Sequence, residues 1–309
     1  MYKSFIYFVL FLNLFHSTAQ EVNSLWETHF SYYNVNDLES NGPYIYASSD
    51  NSIFIYNTQT SELTKITTKQ GLAGEAISSI YFSSNHNKLI VGFVNGLIQV
   101  IDFNTSNIFS IYDIIDKTTI SPDSKRINNF NELDQHIYIS TDYGISVFNL
   151  DSLEFGDTFF IGISGAQVRV AETTVLGEYF YAACKDFEGI KRSLISSNLI
   201  DFNNWSEVFS GSFHAILSVE NSIYFSDQNK IYNIVNGIIS EVFTSNEIIK
   251  DIRYISDSFI ITTQNNTSTY DINFNSISTP IISSNFQTNF NAALFNSNNI
   301  YIATEDTGI

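Results

Sequence analysis

Short apolar runs alternating with polar turns fill most of the chain. The clearest is Tyr44-Ile45-Tyr46-Ala47-Ser48-Ser49-Asp50-Asn51-Ser52-Ile53-Phe54-Ile55-Tyr56-Asn57, two β-rich runs around a polar turn. It returns as Leu89-Ile90-Val91-Gly92-Phe93-Val94-Asn95-Gly96-Leu97-Ile98-Gln99-Val100 and as Ile137-Tyr138-Ile139-Ser140-Thr141-Asp142-Tyr143-Gly144-Ile145-Ser146-Val147-Phe148. Weaker copies stand at Phe180-Tyr181-Ala182, Ile223-Tyr224-Phe225, Phe259-Ile260-Ile261 and Ile300-Tyr301-Ile302. Each strong copy reads as a hairpin, because Asn-Gly and Asp-x-Gly supply the left-handed turn residues that tight β-turns need. Equivalent residues of the copies fall at 47, 91, 139, 182, 225, 261 and 302, a mean step of about 42 residues, which is the length of a propeller blade. A further apolar run follows each hairpin, as in Glu62-Leu63-Thr64-Lys65-Ile66 and Glu241-Val242-Phe243. The pattern predicts an all-β chain, a seven-bladed β-propeller of four-stranded blades with the last blade incomplete. Helical repeats would need a 3.6-residue apolar period, leucine-rich repeats are shorter, and a β-sandwich would not keep so even a step.

Both ends depart from the repeat. Residues 1–20 place Lys3 before the apolar run Phe5 to Phe15, then Ser17-Thr18-Ala19 before Gln20. That order is a secretory signal peptide, and the apolar run is too short to span a bilayer. The expected organisation is a signal peptide over 1–19 and a propeller over 20–309. The seventh copy stops at its hairpin turn, Ala303 to Ile309. A half-made sheet leaves an unpaired edge, so the chain reads as truncated in blade seven, with further domains expected downstream. Leu25 to Tyr32 is a candidate strand for closing the ring.

Composition narrows the function. The chain has 309 residues, is 44% hydrophobic and 15% aromatic, and carries 14 Lys+Arg against 32 Asp+Glu, a formal net charge of −18. Such hydrophobicity excludes intrinsic disorder, and such acidity argues against nucleic acid as a partner. No later stretch reads as a transmembrane segment. The one cysteine, Cys184, lies in an apolar run with no base beside it, so it reads as a buried, inert thiol.

No catalytic signature stands out, and neither catalytic nor metal-binding residues are assigned; binding residues remain unknown. Gly162-Ile163-Ser164-Gly165-Ala166 lacks the last glycine of a nucleophile elbow and reads as a loop between blades. The five histidines show no zinc-ligand spacing, and no cofactor is implied; His29 reads as a packing residue beside Trp26. Asp50, Asp142, Asp227 and Asp306 recur at equivalent turns, as turn chemistry requires, whereas a catalytic carboxylate would be singular. Thr141 to Ser146 lacks the closing Trp of a sialidase Asp box. Lys125-Arg126 and Lys191-Arg192 read as solvated loop positions.

Several ordered segments resemble the N-terminal propeller of PorZ-type proteins, components of the type IX secretion system of Bacteroidota. They are Trp26-Glu27-Thr28-His29-Phe30-Ser31-Tyr32, Ile45 to Ser49, Ile53 to Tyr56, Gln70-Gly71-Leu72, Ile77 to Ile80, Leu89 to Gly96 and Asp157 to Gly162. The sequence departs from that pattern at Gln99, where the family often has an acid, and at Ala73-Gly74, where Ser-Asp often follows Gly-Leu. The resemblance implies a non-enzymatic interaction module at the periplasm or cell surface. Implied partners are other secretion and attachment components, a sortase-like protein among them, and surface lipopolysaccharide, which the net charge opposes unless a basic patch or divalent cations intervene. The hairpins also resemble two-component-regulator propeller repeats, which leaves a ligand-sensing ectodomain as one alternative. A propeller glycoside hydrolase or lyase is another, since propellers host many chemistries.

Overall fold

The computed structural model of the protein describes residues 33–309. The signal segment, His29 and the candidate closing strand at 25–32 lie outside the described residues. Blade one is β1–β4 (Val35–Asn41, Tyr44–Ser49, Ile53–Asn57, Leu63–Ile66) and blade two is β5–β8 (Ile77–Ser83, Lys88–Phe93, Ile98–Asp102, Asn107–Ile111). Blade three is β9–β12 (Ile127–Leu133, His136–Thr141, Gly144–Asn149, Glu154–Phe159) and blade four is β13–β16 (Val170–Leu176, Tyr179–Cys184, Ile190–Leu194, Ser206–Phe209). Blade five is β17–β20 (Ala215–Val219, Ser222–Ser226, Lys230–Val235, Ile238–Thr244) and blade six is β21–β24 (Ile249–Ile255, Ser258–Thr263, Asn266–Tyr270, Ile281–Ile282). Each is an antiparallel meander in chain order. A last hairpin, β25–β26 (Phe290–Asn296, Asn299–Thr304), has two strands.

The propeller therefore has six four-stranded blades, not the seven expected from the repeat count. The repeat had counted second-and-third-strand hairpins, and among the described residues its seventh copy contributes only the second strand. After Thr304 the backbone turns, with Thr304 N–H donating to Gly308 O (2.9 Å) and Gly308 N–H to Tyr33 O (3.1 Å). The hairpin sits between blades six and one: Asn291 Nδ2 donates to Val35 O (2.9 Å) and Ala293 N–H to Asp251 Oδ2 (3.3 Å).

The core lies between blades. Tyr46 and Ile53 of blade one pack with Ile77, Ile80, Leu89 and Phe93 of blade two, and Val35, Leu38 and Ile45 pack with Ala292 and Leu294 of the hairpin. A blade is thus buried on both faces, which is why its middle strands read as unbroken apolar runs. Most first strands carry a bulge one or two residues in, and opposite it the second strand has a small residue: Ser48, Gly92, Ser140, Ala183, Thr262 or Ala303. At Gly92 the reason is close approach, because a Cβ there would lie 2.5 Å from Ile127 Cγ2 and 2.9 Å from Phe130 Cζ of the next blade.

Gly92→Ala is accordingly expected to lower stability by about 1–3 kcal/mol through overpacking of the junction between blades two and three. Denaturant midpoints measure it; an unchanged midpoint would mean that the blades slide apart at no cost.

Candidate functional site

The antiparallel register puts the starts of the first strands and the turns between second and third strands at one end of the molecule, here called the upper face. First strands neighbour one another around a central channel, so their free edges face it. Asp37 on β1 accepts the N–H of Ile80 on β5 (3.0 Å), Glu172 on β13 that of Ile216 on β17 (2.9 Å), and Asp251 on β21 that of Ala293 on β25. These bonds span 43, 44 and 42 residues, one repeat each. Arg253 ties two of the carboxylates together, Nη2 2.8 Å from Asp37 Oδ1 and Nε 2.9 Å from Asp251 Oδ2, and donates to Leu38 O through Nη1.

Enclosure in the channel perturbs this group. Burial pushes the Glu39 carboxyl up to about 8; Arg253 opposes the rise, while Asp37 and Asp251 add to it. Glu172 is pushed up to about 7 by burial, against the Ile216 N–H that favours its charge. Asp251 is also raised by burial, despite Arg253. Burial alone would lower Arg253, but Asp251, Asp37 and Glu39 hold its guanidinium above the ordinary range.

Cations edge the upper mouth of the channel. Arg169, just before β13, pairs through Nε with Asp142 Oδ1 (3.4 Å) and through Nη1 with Asp186 Oδ2 (3.3 Å). Asn128 Nδ2 donates to Asp142 Oδ1 and Val170 O (both 2.8 Å), and Asn128 Oδ1 accepts from Lys185 Nζ at 3.4 Å. Burial lowers Lys185; Asp142 opposes the shift, and Arg169 and Arg126 deepen it. His214 is lowered by burial and by Lys185.

Asp50, Asp142, Asp227 and Asp306 all sit at upper-face turns, but their roles differ. Asp227 caps its own turn, accepting Asn229 N–H (3.0 Å) and Lys230 N–H (2.8 Å), whereas Asp142 reaches across to Arg169 of the next blade. Two sequence readings need correction. Lys125 is buried, its ammonium bonded to Ile115 O, and Lys191 is buried on β15 beside Glu188 (3.1 Å). Lys125 packs against Gly96 of blade two, and in both residues the ammonium finds an oxygen partner. Cys184 is fully buried on β14, and burial pushes its thiol up to about 12.

At the lower end is a cluster that no linear motif announces. Ser83 Oγ lies 2.9 Å from His86 Nδ1, and His86 Nε2 lies 3.3 Å from Asp151 Oδ1. The three resemble a nucleophile triad. Yet Ser83 is wholly buried and its hydroxyl donates to Glu132 Oε1 (3.0 Å), which also accepts Asn85 Nδ2 (3.2 Å). A nucleophile needs a free trajectory and its proton on the base. This cluster binds blade two to blade three instead. Among the described residues no group of His, Cys, Asp and Glu could hold a metal ion, and no helix is long and apolar enough to cross a membrane.

Fold and channel define a repeat-built β-propeller whose central polar residues serve ring closure. The chain belongs to the family of N-terminal β-propeller domains of PorZ, of the type IX secretion system, whose family model matches residues 45–206. No curated protein matches it in sequence. Among solved structures it is similar to PorZ of Porphyromonas gingivalis, described as an essential surface component of that system, with TM-score 0.73 and 14% identity over 91% of this chain. The chain spans 37% of that protein. It is also similar to the extracellular domain of a putative hybrid two-component system of B. thetaiotaomicron (TM-score 0.69, 12% identity, 90% of this chain and 40% of that one). The corresponding domain of a putative one-component system gives TM-score 0.65 at 13% identity, covering 88% of this chain and 38% of that one. Both departures noted in the sequence meet in space. Gln99 accepts Ala73 N–H (2.8 Å) and donates to Gly71 O (3.1 Å) and Ser110 Oγ (2.9 Å), a pairing that needs an amide rather than a carboxylate.

Two outcomes follow from the channel. Arg253→Met leaves Asp37 and Asp251 uncompensated and is expected to cost about 3 kcal/mol in denaturant unfolding. Glu39 has a folded pKa above its unfolded one, so its favourable contribution is full below the unfolded value near 4.5 and is lost as pH rises toward 8. Wild-type stability should therefore fall across that window, and Glu39→Gln should flatten the fall; parallel pH profiles for the two proteins would contradict the assignment.

Proposed function

We propose that this chain is the propeller module of a PorZ-like component of type IX secretion, exported to the periplasm or cell surface, and that it binds partners without transforming a substrate. The family match over 45–206 carries the reading. Its buried polar groups support it as well: channel carboxylates, Arg253 and the Ser83–His86 cluster are each spent on holding blades together. The partners proposed are the attachment components of the system, a sortase-like protein among them. With a formal charge of −18, this domain suits a protein partner better than anionic lipopolysaccharide. The likeness to the B. thetaiotaomicron extracellular domain favours a second reading, a ligand-sensing ectodomain.

Deleting the gene from the source bacterium separates them. The secretion reading expects type IX cargo to keep its C-terminal signal and to be lost from the surface, with rescue by the intact gene. Normal cargo attachment together with a lost transcriptional response to an external ligand would overturn it in favour of the sensor.

A further inference from the structure

Large apolar side chains seldom tolerate a left-handed backbone, because Cβ crowds the following carbonyl. Among the described residues Leu153 (φ 58°), Phe187 (φ 65°) and Phe274 (φ 59°) adopt it. Two of them gain burial in return. Leu153 packs on the core shared by blades two and three, and Phe274 stacks on Phe259 with ring centroids 4.8 Å apart. Phe187 is 82% exposed. Among the described residues nothing offsets its strain, and uncompensated strain of this kind gathers at binding and catalytic sites.

The turn that carries Phe187 is firmly held. Glu188 N–H donates to Lys185 O (3.1 Å), Gly189 N–H to Gly211 O (2.8 Å) and Asp186 N–H to Ser212 Oγ (3.1 Å), and Arg169 grips the Asp186 carboxylate. Asp186 is left-handed as well (φ 56°), so both central residues occupy the conformation for which hairpins usually choose Asn-Gly. The corresponding turn of blade three, Thr141 to Gly144, folds its aromatic inward: Tyr143 is fully buried with its hydroxyl 2.7 Å from Ser146 Oγ. Blade four instead holds a phenyl ring out at the upper face, on a turn whose backbone is already bonded in place.

Charge says what would cover it. Asp142 and Asp186 are already paired with Arg169. Lys185 has one long contact, with Asn128 Oδ1, and Arg126 makes no ion pair among the described residues. Glu188 is likewise paired, with Lys191 at 3.1 Å, so Lys185 and Arg126 are the cations left without a carboxylate partner here, and an outside carboxylate would complement them.

We propose that the upper face carrying Phe187 and Lys185 of blade four, with Arg126 at the start of blade three, docks an extended segment of a partner protein that places an acidic side chain next to an apolar one. The inference rests on the reading of this domain as a protein-binding module. An exposed aromatic on a turn gripped by arginine has the make-up of an interface anchor, and prior ordering of the turn backbone lowers the entropy lost on docking.

Random dodecapeptides displayed on phage, selected on the purified chain, test it. Selected sequences should pair Asp or Glu with Leu, Phe or Trp. The leading one, made as a fluorescein-labelled peptide, should bind at least ~10-fold more weakly to Phe187→Gly and to Lys185→Gln by fluorescence anisotropy. Phe187→Gly should at the same time raise Tm by about 2 °C, since glycine relieves the left-handed strain. That joint gain in stability and loss of binding separates a docking residue from a structural one. Selection without an acidic–apolar pattern, or equal binding by Phe187→Gly, overturns the proposal. So does dextran sulfate binding that depends on Lys185 and not on Phe187, which would make the face a general polyanion site. Failure of the peptide test with cargo attachment still lost on gene deletion would sink this surface and leave the secretion reading intact.

Discussion

Everything in this ring depends on bonds between first strands of successive blades. Those strands splay around the channel and form no backbone ladder with one another, so each presents a free edge of N–H groups. An enclosed N–H without an acceptor is costly. Asp37, Glu172 and Asp251 meet the need by reaching one blade onward to Ile80, Ile216 and Ala293. The recurring distance of one repeat expresses that geometry: each bulge near the start of a first strand turns a side chain toward its neighbour. Arg253 then offsets the charge that two such carboxylates bring together.

This bonding decided what could be read from the chain. Hairpins of second and third strands were legible because both faces are buried between blades and their apolar runs are continuous. First strands were not. VNDLESN of β1 and INNFNEL of β9 bury only two of their seven positions, and their Asn and Asp imitate a loop. The blade count failed for a related reason. The repeat recognises each blade by its second strand, and β26 is a second strand with no third or fourth strand beside it among the described residues. Lys125 and Lys191 were misplaced because doublets of basic residues ordinarily mark solvent, whereas here both side chains are buried and each ammonium has an oxygen partner. Ser83, His86, Glu132 and Asp151 carry no linear signal, since they come from two blades and meet only once these are packed.

Net charge also reads differently once folded. The formal −18 counts Glu39 and Glu172 as fully ionised, yet burial holds both part-protonated near neutral pH. Channel acidity is therefore muted where carboxylates crowd, and Arg253 cancels part of the rest. On the upper face Arg169 is already answered by Asp142 and Asp186, which leaves Lys185 and Arg126 as the less committed cations. An acidic chain thus presents a local surface that its composition does not suggest.

The division of labour between channel and upper face explains how such a ring can vary its surface. Clasps lie on first strands and the buried packing on middle strands, so upper-face turns and connections can change length without loosening a junction. Residues 112–126 join blades two and three, while 245–248 suffice between blades five and six. Blade four uses the same freedom in a turn: it closes with Lys185 to Gly189 where blade three needs only Asp142 and Tyr143. The extra residues point an aromatic outward, and the strain this creates stays within one turn, bonded to Gly211 and Ser212 of the following connection. Had the same strain fallen on a first strand, it would have opposed the carboxylate clasps. Placed on the upper face, it leaves the ring intact and spends stability only where a partner can restore it.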